Sequence, residues 1–311
     1  MVAYKISEIE SAKKYYEESG YVVLRNVIPV DWCSELKTKF ESEIKPYKGP
    51  IYRQTHADPE AHILDNFGQM LNAIQNPLSV RSDKFPEFRY CCEKILASDL
   101  LFNTVEQIIG QPAGLVQSMY FESGFGTWPH QDSYYLDSEK IGSMAAVWIA
   151  LEDIDESAGR FFICPGSHRV KSLRNEGANN IVSGHSNYKD LVRSMIESGE
   201  MQVETPALLR GDVLIWSALT VHGSHQPEKK GRSRSSLTAH FIPLQYRFLQ
   251  HQCRPSHPKY EEFNGHSILR PKDQNKFLNR MILNLEFKFP SASKKMKKII
   301  VGTRNKVLTM K

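Results

Sequence analysis

Long apolar runs, paired cysteines and internal repeats are all missing from this 311-residue chain. No stretch approaches about 18 consecutive apolar residues, so a membrane-spanning helix is not expected. The N-terminal MVAYKISEIE lacks a basic stretch followed by an apolar core, which argues against a secretory signal. The five cysteines (Cys33, Cys91, Cys92, Cys164, Cys253) are odd in number and never spaced CxxC. Neither a disulfide framework nor a thiolate zinc site is expected, and a cytoplasmic setting is the default. The adjacent Cys91 and Cys92 read as buried helix packing. Acidic residues are absent from Lys288 to Lys311, where eight Lys and Arg fall; with +5 overall, the preceding 287 residues carry −3. Such a tail suits contact with a membrane surface or another polyanion, and a solvated terminus is the plainer reading of the same composition. No aromatic-rich basic module accompanies the charge, so nucleic-acid binding is not expected.

What is present, 41% hydrophobic and 24% charged residues, is ordinary for a globular domain. Residues 7–18 read as a helix with Ser7 as N-cap and Gly20 just past its end. YVVLR (21–25) is a short strand. In residues 30–45, Trp32, Leu36, Phe40 and Ile44 recur four apart on one helical face. Helices also fit 86–97 and 99–109, the second stopping at Gly110. Beyond residue 113 the character changes to short strands: 115–121, 143–151, 159–165, 212–218 and 235–243. Helices followed by strands predict an α+β domain with a β-sandwich or barrel core. Residues 122–142 and 169–205 are long loops, which usually carry function. Within 244–290 one helix fits near 274–284. A single domain over 1–290 and a basic tail over 291–311 follow from these boundaries.

The segment Trp128-Pro-His-Gln-Asp132 carries the chemistry. On extended backbone His130 and Asp132 point to the same side and can bind one metal together. His222, 92 residues later in VHGS, supplies a third ligand. Two imidazoles and one carboxylate on one face of an octahedral ion leave three open positions, enough for a bidentate 2-oxo acid and O₂; non-haem iron(II) oxygenases use this set. Zinc in a hydrolase would accept the same ligands. The oxygenase reading requires in addition a cation for the distal carboxylate of 2-oxoglutarate, best supplied by a bidentate Arg. Arg234, opening RSSLTAHF, is the preferred anchor, with Arg232 as its competitor. The other histidines read as secondary: His168 belongs to a PGSH turn, His225 lies three residues past the favoured ligand, and His240 suits the core or a place behind the ligands. Arg53, His56, Lys171, Arg174 and Arg210 fall in presumed lid or rim segments and hint at an anionic small molecule, although surface charge would account for them as well.

These segments together resemble the phytanoyl-CoA dioxygenase family over most of residues 8–243. YYEESGYVVLRNVIP resembles its N-terminal helix and strand, and WPHQD its metal motif. VWIALEDIDESAGRFFICPGSH resembles its central strands, and HGS with RSSLTAHF its distal His and Arg region. The resemblance implies a double-stranded β-helix (jelly roll, cupin-like) with flanking N-terminal helices, iron(II) and 2-oxoglutarate with O₂, and hydroxylation of a small-molecule substrate. It implies His130, Asp132 and His222 as iron ligands, Arg234 as the 2-oxoglutarate anchor, Trp148 as an aromatic lining the co-substrate, and Gln117 and Met119 as further contacts. The interval from His222 to Arg234 is one residue longer than the family pattern, which keeps Arg232 open. Related halogenases have Gly or Ala where Asp132 stands, so halogenation is not expected. A cupin-like metal-binding isomerase or non-catalytic module is the reading from another class.

Overall fold

The computed structural model describes residues 2–173, 185–250 and 255–295. α1 (Ile9–Ser19) ends at Gly20, whose φ of 78° is the left-handed cap conformation that glycine adopts without strain. Ser7 does not cap this helix; it lies inside a 3-10 turn, Ile6–Glu8, that precedes it. α2 (Val30–Lys39) continues into a π turn, Phe40–Ile44. On a 3.6-residue helix a four-residue repeat drifts by about 40° per step, and the wider turn offsets this. Leu36, Phe40 and Ile44 therefore all stay buried. α3 (Pro86–Leu96) and α4 (Asp99–Ile109) fall where the periodicity predicts, with Ser98 capping α4 by accepting from Leu101 N at 3.2 Å.

The strands form two facing sheets. The larger contains β1 (Tyr21–Leu24), β4 (Ile74–Gln75), β5 (Ala113–Phe121), β8 (Ala145–Ala150), β10 (Val213–Ser217), β12 (Ser236–Pro243), β14 (Glu261–Phe263) and β15 (His266–Ile268). Its order is β1-β10-β8-β12-β5-β15-β14, with β4 added alongside β5. The smaller is β6 (Thr127–His130), β11 (His222–Ser224) and β9 (Phe161–Ile163), with β11 in the middle. Two short pairs complete the strands: β2 (Ile51–Tyr52) with β3 (Pro59–Glu60), and β7 (Leu136–Ser138) with β13 (Phe248–Gln250).

Alternation along the larger sheet gives it two apolar faces. Leu24, Val147, Ile149, Val213, Ile215, Leu237 and Phe241 pack against Ala12, Leu36, Phe88, Leu101 and Val105 of the four N-terminal helices. Val23, Ala146, Trp148, Leu214 and Trp216 point the other way, onto Phe161 and Ile163 of the smaller sheet. A helix-covered sheet facing a second sheet is the expected double-stranded β-helix with mainly β core.

Neither long connection lacks structure. Residues 122–142 contain β6, a 3-10 turn (Asp132–Tyr134) and β7, and α5 (His185–Glu197) lies within 169–205. α6 (Phe277–Lys288) sits a few residues later than the periodicity suggested, and residues 290–295 are also helical. The boundary at 290 thus falls beside helical backbone, and Lys294 pairs with Asp58 at 3.2 Å. Cys91 and Cys92 are buried in α3, as expected, and Cys33 and Cys164 are likewise free and buried; Cys253 lies outside the described residues. Among the described residues no helix is long and apolar enough to cross a membrane.

Candidate metal centre

His130 ends β6, and Gln131 continues in extended backbone (φ −103°, ψ 137°) before Asp132 opens the 3-10 turn. One extended residue between them is enough to turn both side chains the same way. His222 opens β11 and lies directly across the sheet from His130. Backbone pairing thereby brings together residues 92 positions apart. Gly223 allows this approach: a Cβ there would lie 2.6 Å from Thr127 O on one side and 2.6 Å from the Phe162 ring on the other.

One ligand atom from each of His130, Asp132 and His222 lies within 4.8 Å of the others. Asp132 Oδ1 is 3.7 Å from His130 Nε2 and 3.6 Å from His222 Nε2. The opposite ring nitrogens are both occupied. His130 Nδ1 meets Trp128 O at 2.8 Å, and His222 Nδ1 meets Thr220 O at 3.0 Å. A carbonyl only accepts, so each Nδ1 carries the proton and each Nε2 presents a lone pair to the shared centre. Burial pushes the His130 pKa down to about 4, with the His222 charge adding to the effect, and burial lowers His222 as well. Both imidazoles are neutral near pH 7, the form that binds metal. Asp132 behaves oppositely. Burial alone would raise its pKa, but His222, His240 and His130 together hold it below the usual carboxylate range.

The Asp132 carboxylate is oriented from behind. Trp216 Nε1 donates to Oδ2 at 2.9 Å, and His240 Nε2 lies 3.4 Å from the same oxygen. Oδ2 is thus engaged by the larger sheet while Oδ1 faces the two imidazoles. His240 has the place behind the ligands that the sequence suggested. Trp216 was missed, although its alternate position in DVLIWSA put it on the sheet face opposite Val213 and Ile215. Gln131 is also fastened: its backbone N–H donates to Tyr188 Oη at 2.8 Å, tying the ligand turn to α5.

Arg234 precedes β12, and only 6% of it is exposed. Burial lowers its pKa to about 10, so it stays cationic at neutral pH. Its backbone N–H donates to Glu122 O at 2.8 Å, and Nη1 donates to Gly159 O at 2.6 Å. No carboxylate among the described residues forms an ion pair with it. Two and four positions on, the Ser236 and Thr238 hydroxyls are buried without hydrogen-bond partners among the described residues. Thr238 pairs across the sheet with Trp148 on one side and Met119 on the other; His240 likewise faces Gln117. Gln117, Met119 and Trp148 therefore share the inner sheet face with Thr238 and His240. Arg232 is exposed.

The remaining basic candidates are not part of this centre. Arg53 is fully buried and holds its own loop together: Nε and Nη2 donate to Glu60 O, both at 3.2 Å, and Nη1 to Asn72 O at 3.1 Å. Neither the solvated nor the substrate-binding reading fits it. Arg210 Nη1 donates to Ser34 Oγ of α2 at 2.9 Å. His56 and Lys171 are exposed, and Arg174 lies outside the described residues. His225 Nε2 meets Thr205 Oγ1 at 3.0 Å, and His168 Nε2 lies 3.3 Å from Glu17 O beside Gly20.

Comparison with known proteins yields a consistent set of matches. The family model for "Phytanoyl-CoA dioxygenase (PhyH)" matches residues 16–234. Human peroxisomal phytanoyl-CoA dioxygenase is 24% identical over 242 residues, covering 74% of this chain and 67% of its own. Bovine phytanoyl-CoA dioxygenase domain-containing protein 1 is 27% identical over 261 residues, covering 73% and 87%. Among solved structures, the non-haem α-ketoglutarate-dependent carbocyclase SnoK from nogalamycin biosynthesis superposes with a TM-score of 0.61 at 17% identity, over 81% of this chain and 94% of that one. EctD from S. alaskensis, solved with bound Fe, gives 0.53 at 15% identity, over 79% and 81%. At these identities the structural likeness speaks for the fold.

Proposed function

This chain belongs to the phytanoyl-CoA dioxygenase family, and from that premise we propose that it is an iron(II)- and 2-oxoglutarate-dependent dioxygenase hydroxylating an unactivated C–H bond of a small molecule. The observation that carries this is one pairing: a His-Asp-His ligand set, buried at Asp132 and His222, and just ahead of β12 of the facing sheet a buried arginine without a carboxylate partner among the described residues. A metal hydrolase or cupin-like isomerase needs the first feature and has no use for the second. SnoK is α-ketoglutarate-dependent and EctD was solved with bound Fe, which agrees with the chemistry of this donor set.

His130, Asp132 and His222 would hold the iron, the two imidazoles through the Nε2 atoms they turn to the shared centre. When bound, iron(II), 2-oxoglutarate and O₂ together supply the oxidant, with release of succinate and CO₂. The chain's own residues do the rest. Arg234 takes the distal carboxylate of 2-oxoglutarate, and Ser236 and Thr238 offer hydroxyls that otherwise have no partner. Trp148 and Met119 wall the inner sheet face and exclude water, while Gln117 stands opposite His240. Trp216 and His240 keep the Asp132 carboxylate turned so that one oxygen faces the metal. Residues 1–290 act as one oxygenase domain, and 291–311 serve as a basic extension. Arg53 and Arg210 are engaged elsewhere, so the charge argument for an anionic substrate loses two of its five residues.

Anaerobic addition of iron(II) and then 2-oxoglutarate tests the proposal. A weak visible charge-transfer band on adding the 2-oxo acid is expected; a protein that binds iron but develops no band would refute it. Mass-spectrometric screening for a 2-oxoglutarate-dependent gain of one oxygen then identifies the substrate and distinguishes hydroxylation from other outcomes.

A further inference from the structure

α6 presents its apolar side outward. Its polar residues bond to the turn just ahead of it: Asn279 Nδ2 donates to Asp273 O at 2.8 Å, Arg280 Nη1 donates to Asn275 O at 3.2 Å, and Glu286 pairs with Lys272 at 3.6 Å. Leu283 is the one buried apolar side chain of the helix. Phe277, Met281, Leu285 and Phe289 recur every four residues on the exposed side, with Leu278 and Ile282 beside them. Phe277 is 68% exposed, Leu285 51% and Phe289 58%. An apolar stripe along a helix roughly 18 Å long is what an interaction face looks like.

The charge around this stripe is one-sided. Lys288, Lys294 and Lys295 are exposed. The sequence continues with Lys297, Lys298, Arg304, Lys306 and Lys311, and holds no acid from Lys288 onward. α6 also lies outside residues 16–234, the part matched by the family model. Leu283 is buried beneath α6, and the helical residues that follow it return to the body, where Lys294 pairs with Asp58 at 3.2 Å.

We propose that α6 and its basic flank dock on an anionic phospholipid bilayer. The helix lies in the plane of the interface, its apolar stripe among the upper acyl chains and its lysines on the headgroup phosphates. A helix with an exposed apolar face and clustered cations has the two attractions that interfacial helices use. The same charge disfavours a second copy of this chain as occupant, because it would bring two acid-free basic runs together.

Co-sedimentation of the full chain with phosphatidylcholine vesicles, with and without phosphatidylserine, tests this. Partition onto the anionic vesicles should be stronger by on the order of tenfold or more, and should fall as salt is raised. Met281→Glu with Leu285→Glu, or separately Lys288→Glu with Lys295→Glu, should lower binding to the phosphatidylcholine level. Thermal melting should not change, because all four side chains are exposed. Met281→Ser with Leu285→Ser is the milder pair if the glutamates impair folding. Equal binding to both vesicle types, or full binding by the Met281/Leu285 variants, overturns the proposal. So does a dimer, seen by light scattering, that those substitutions dissolve, since the face would then belong to a second copy.

Discussion

Replacing Arg234 by Ala removes the buried cation proposed to read the distal carboxylate of 2-oxoglutarate. Arg234 is 6% exposed, and among the described residues its guanidinium makes one hydrogen bond, Nη1 to Gly159 O. An incoming carboxylate therefore meets a desolvated cation with donors to spare. Truncating one member of such a pair costs about 2–5 kcal/mol, or on the order of 30- to several-thousand-fold in affinity. Arg232 is exposed, so an interaction from that position is screened and contributes about 1 kcal/mol or less. The assay is the apparent KM for 2-oxoglutarate, followed as succinate formed, in both variants. Arg234→Ala should raise it by at least the lower figure and Arg232→Ala by no more than about fivefold. Native protein should also discriminate against pyruvate, which lacks the distal carboxylate, and Arg234→Ala should lose that discrimination. A large effect at Arg232 with none at Arg234 would move the anchor by two residues. No effect at either position would remove the structural reason for naming 2-oxoglutarate.

Further outcomes follow from the same geometry. His130→Ala, Asp132→Ala and His222→Ala should each abolish turnover and weaken iron binding while leaving circular dichroism unchanged, whereas His225→Ala should retain activity; the reverse result at the two later histidines would reassign the third ligand. Trp216→Phe keeps the ring and deletes the donor to Asp132 Oδ2, so iron affinity, measured by chelator competition, should fall by about 10- to 100-fold with little change in melting temperature. In the metal-free protein His130 titrates at about 4, below its unfolded value of 6.5, so between those values the unfolded chain binds more protons. Stability present above pH 6.5 should therefore be lost as pH falls towards 4, and urea titrations of His130→Gln should show a weaker pH dependence. Ending the chain after Lys295 should leave uncoupled 2-oxoglutarate decarboxylation intact; its loss would place residues 296–311 in the folded core.

The parts of the site that were legible in the sequence are those set by local spacing. One extended residue separates His130 from Asp132, a glycine follows His222, and Arg234 stands just ahead of an alternating strand. Each statement concerns neighbours in the chain, and each reappears in the folded geometry. What stayed hidden depends on which surfaces meet. Trp216 reads as one more apolar residue in DVLIWSA, and only the facing of the two sheets turns its N–H onto Asp132. Arg53 reads as a surface cation because its acceptors, the carbonyls of Glu60 and Asn72, come from a loop whose path no periodicity records.

α6 exposes the limit of periodicity most clearly. The four-residue recurrence of Phe277, Met281, Leu285 and Phe289 marks an apolar face, and the usual inference is that such a face seeks the core. Here the core is already closed by α1 to α4 on one side of the larger sheet and by the smaller sheet on the other. Of its apolar side chains α6 buries only Leu283, and Asn279, Arg280 and Glu286 bond to the turn that precedes it. Periodicity tells that a face exists. Which way it points is decided by whether the rest of the chain has left it a partner, and the acid-free run from Lys288 onward suits the negatively charged surface proposed for it.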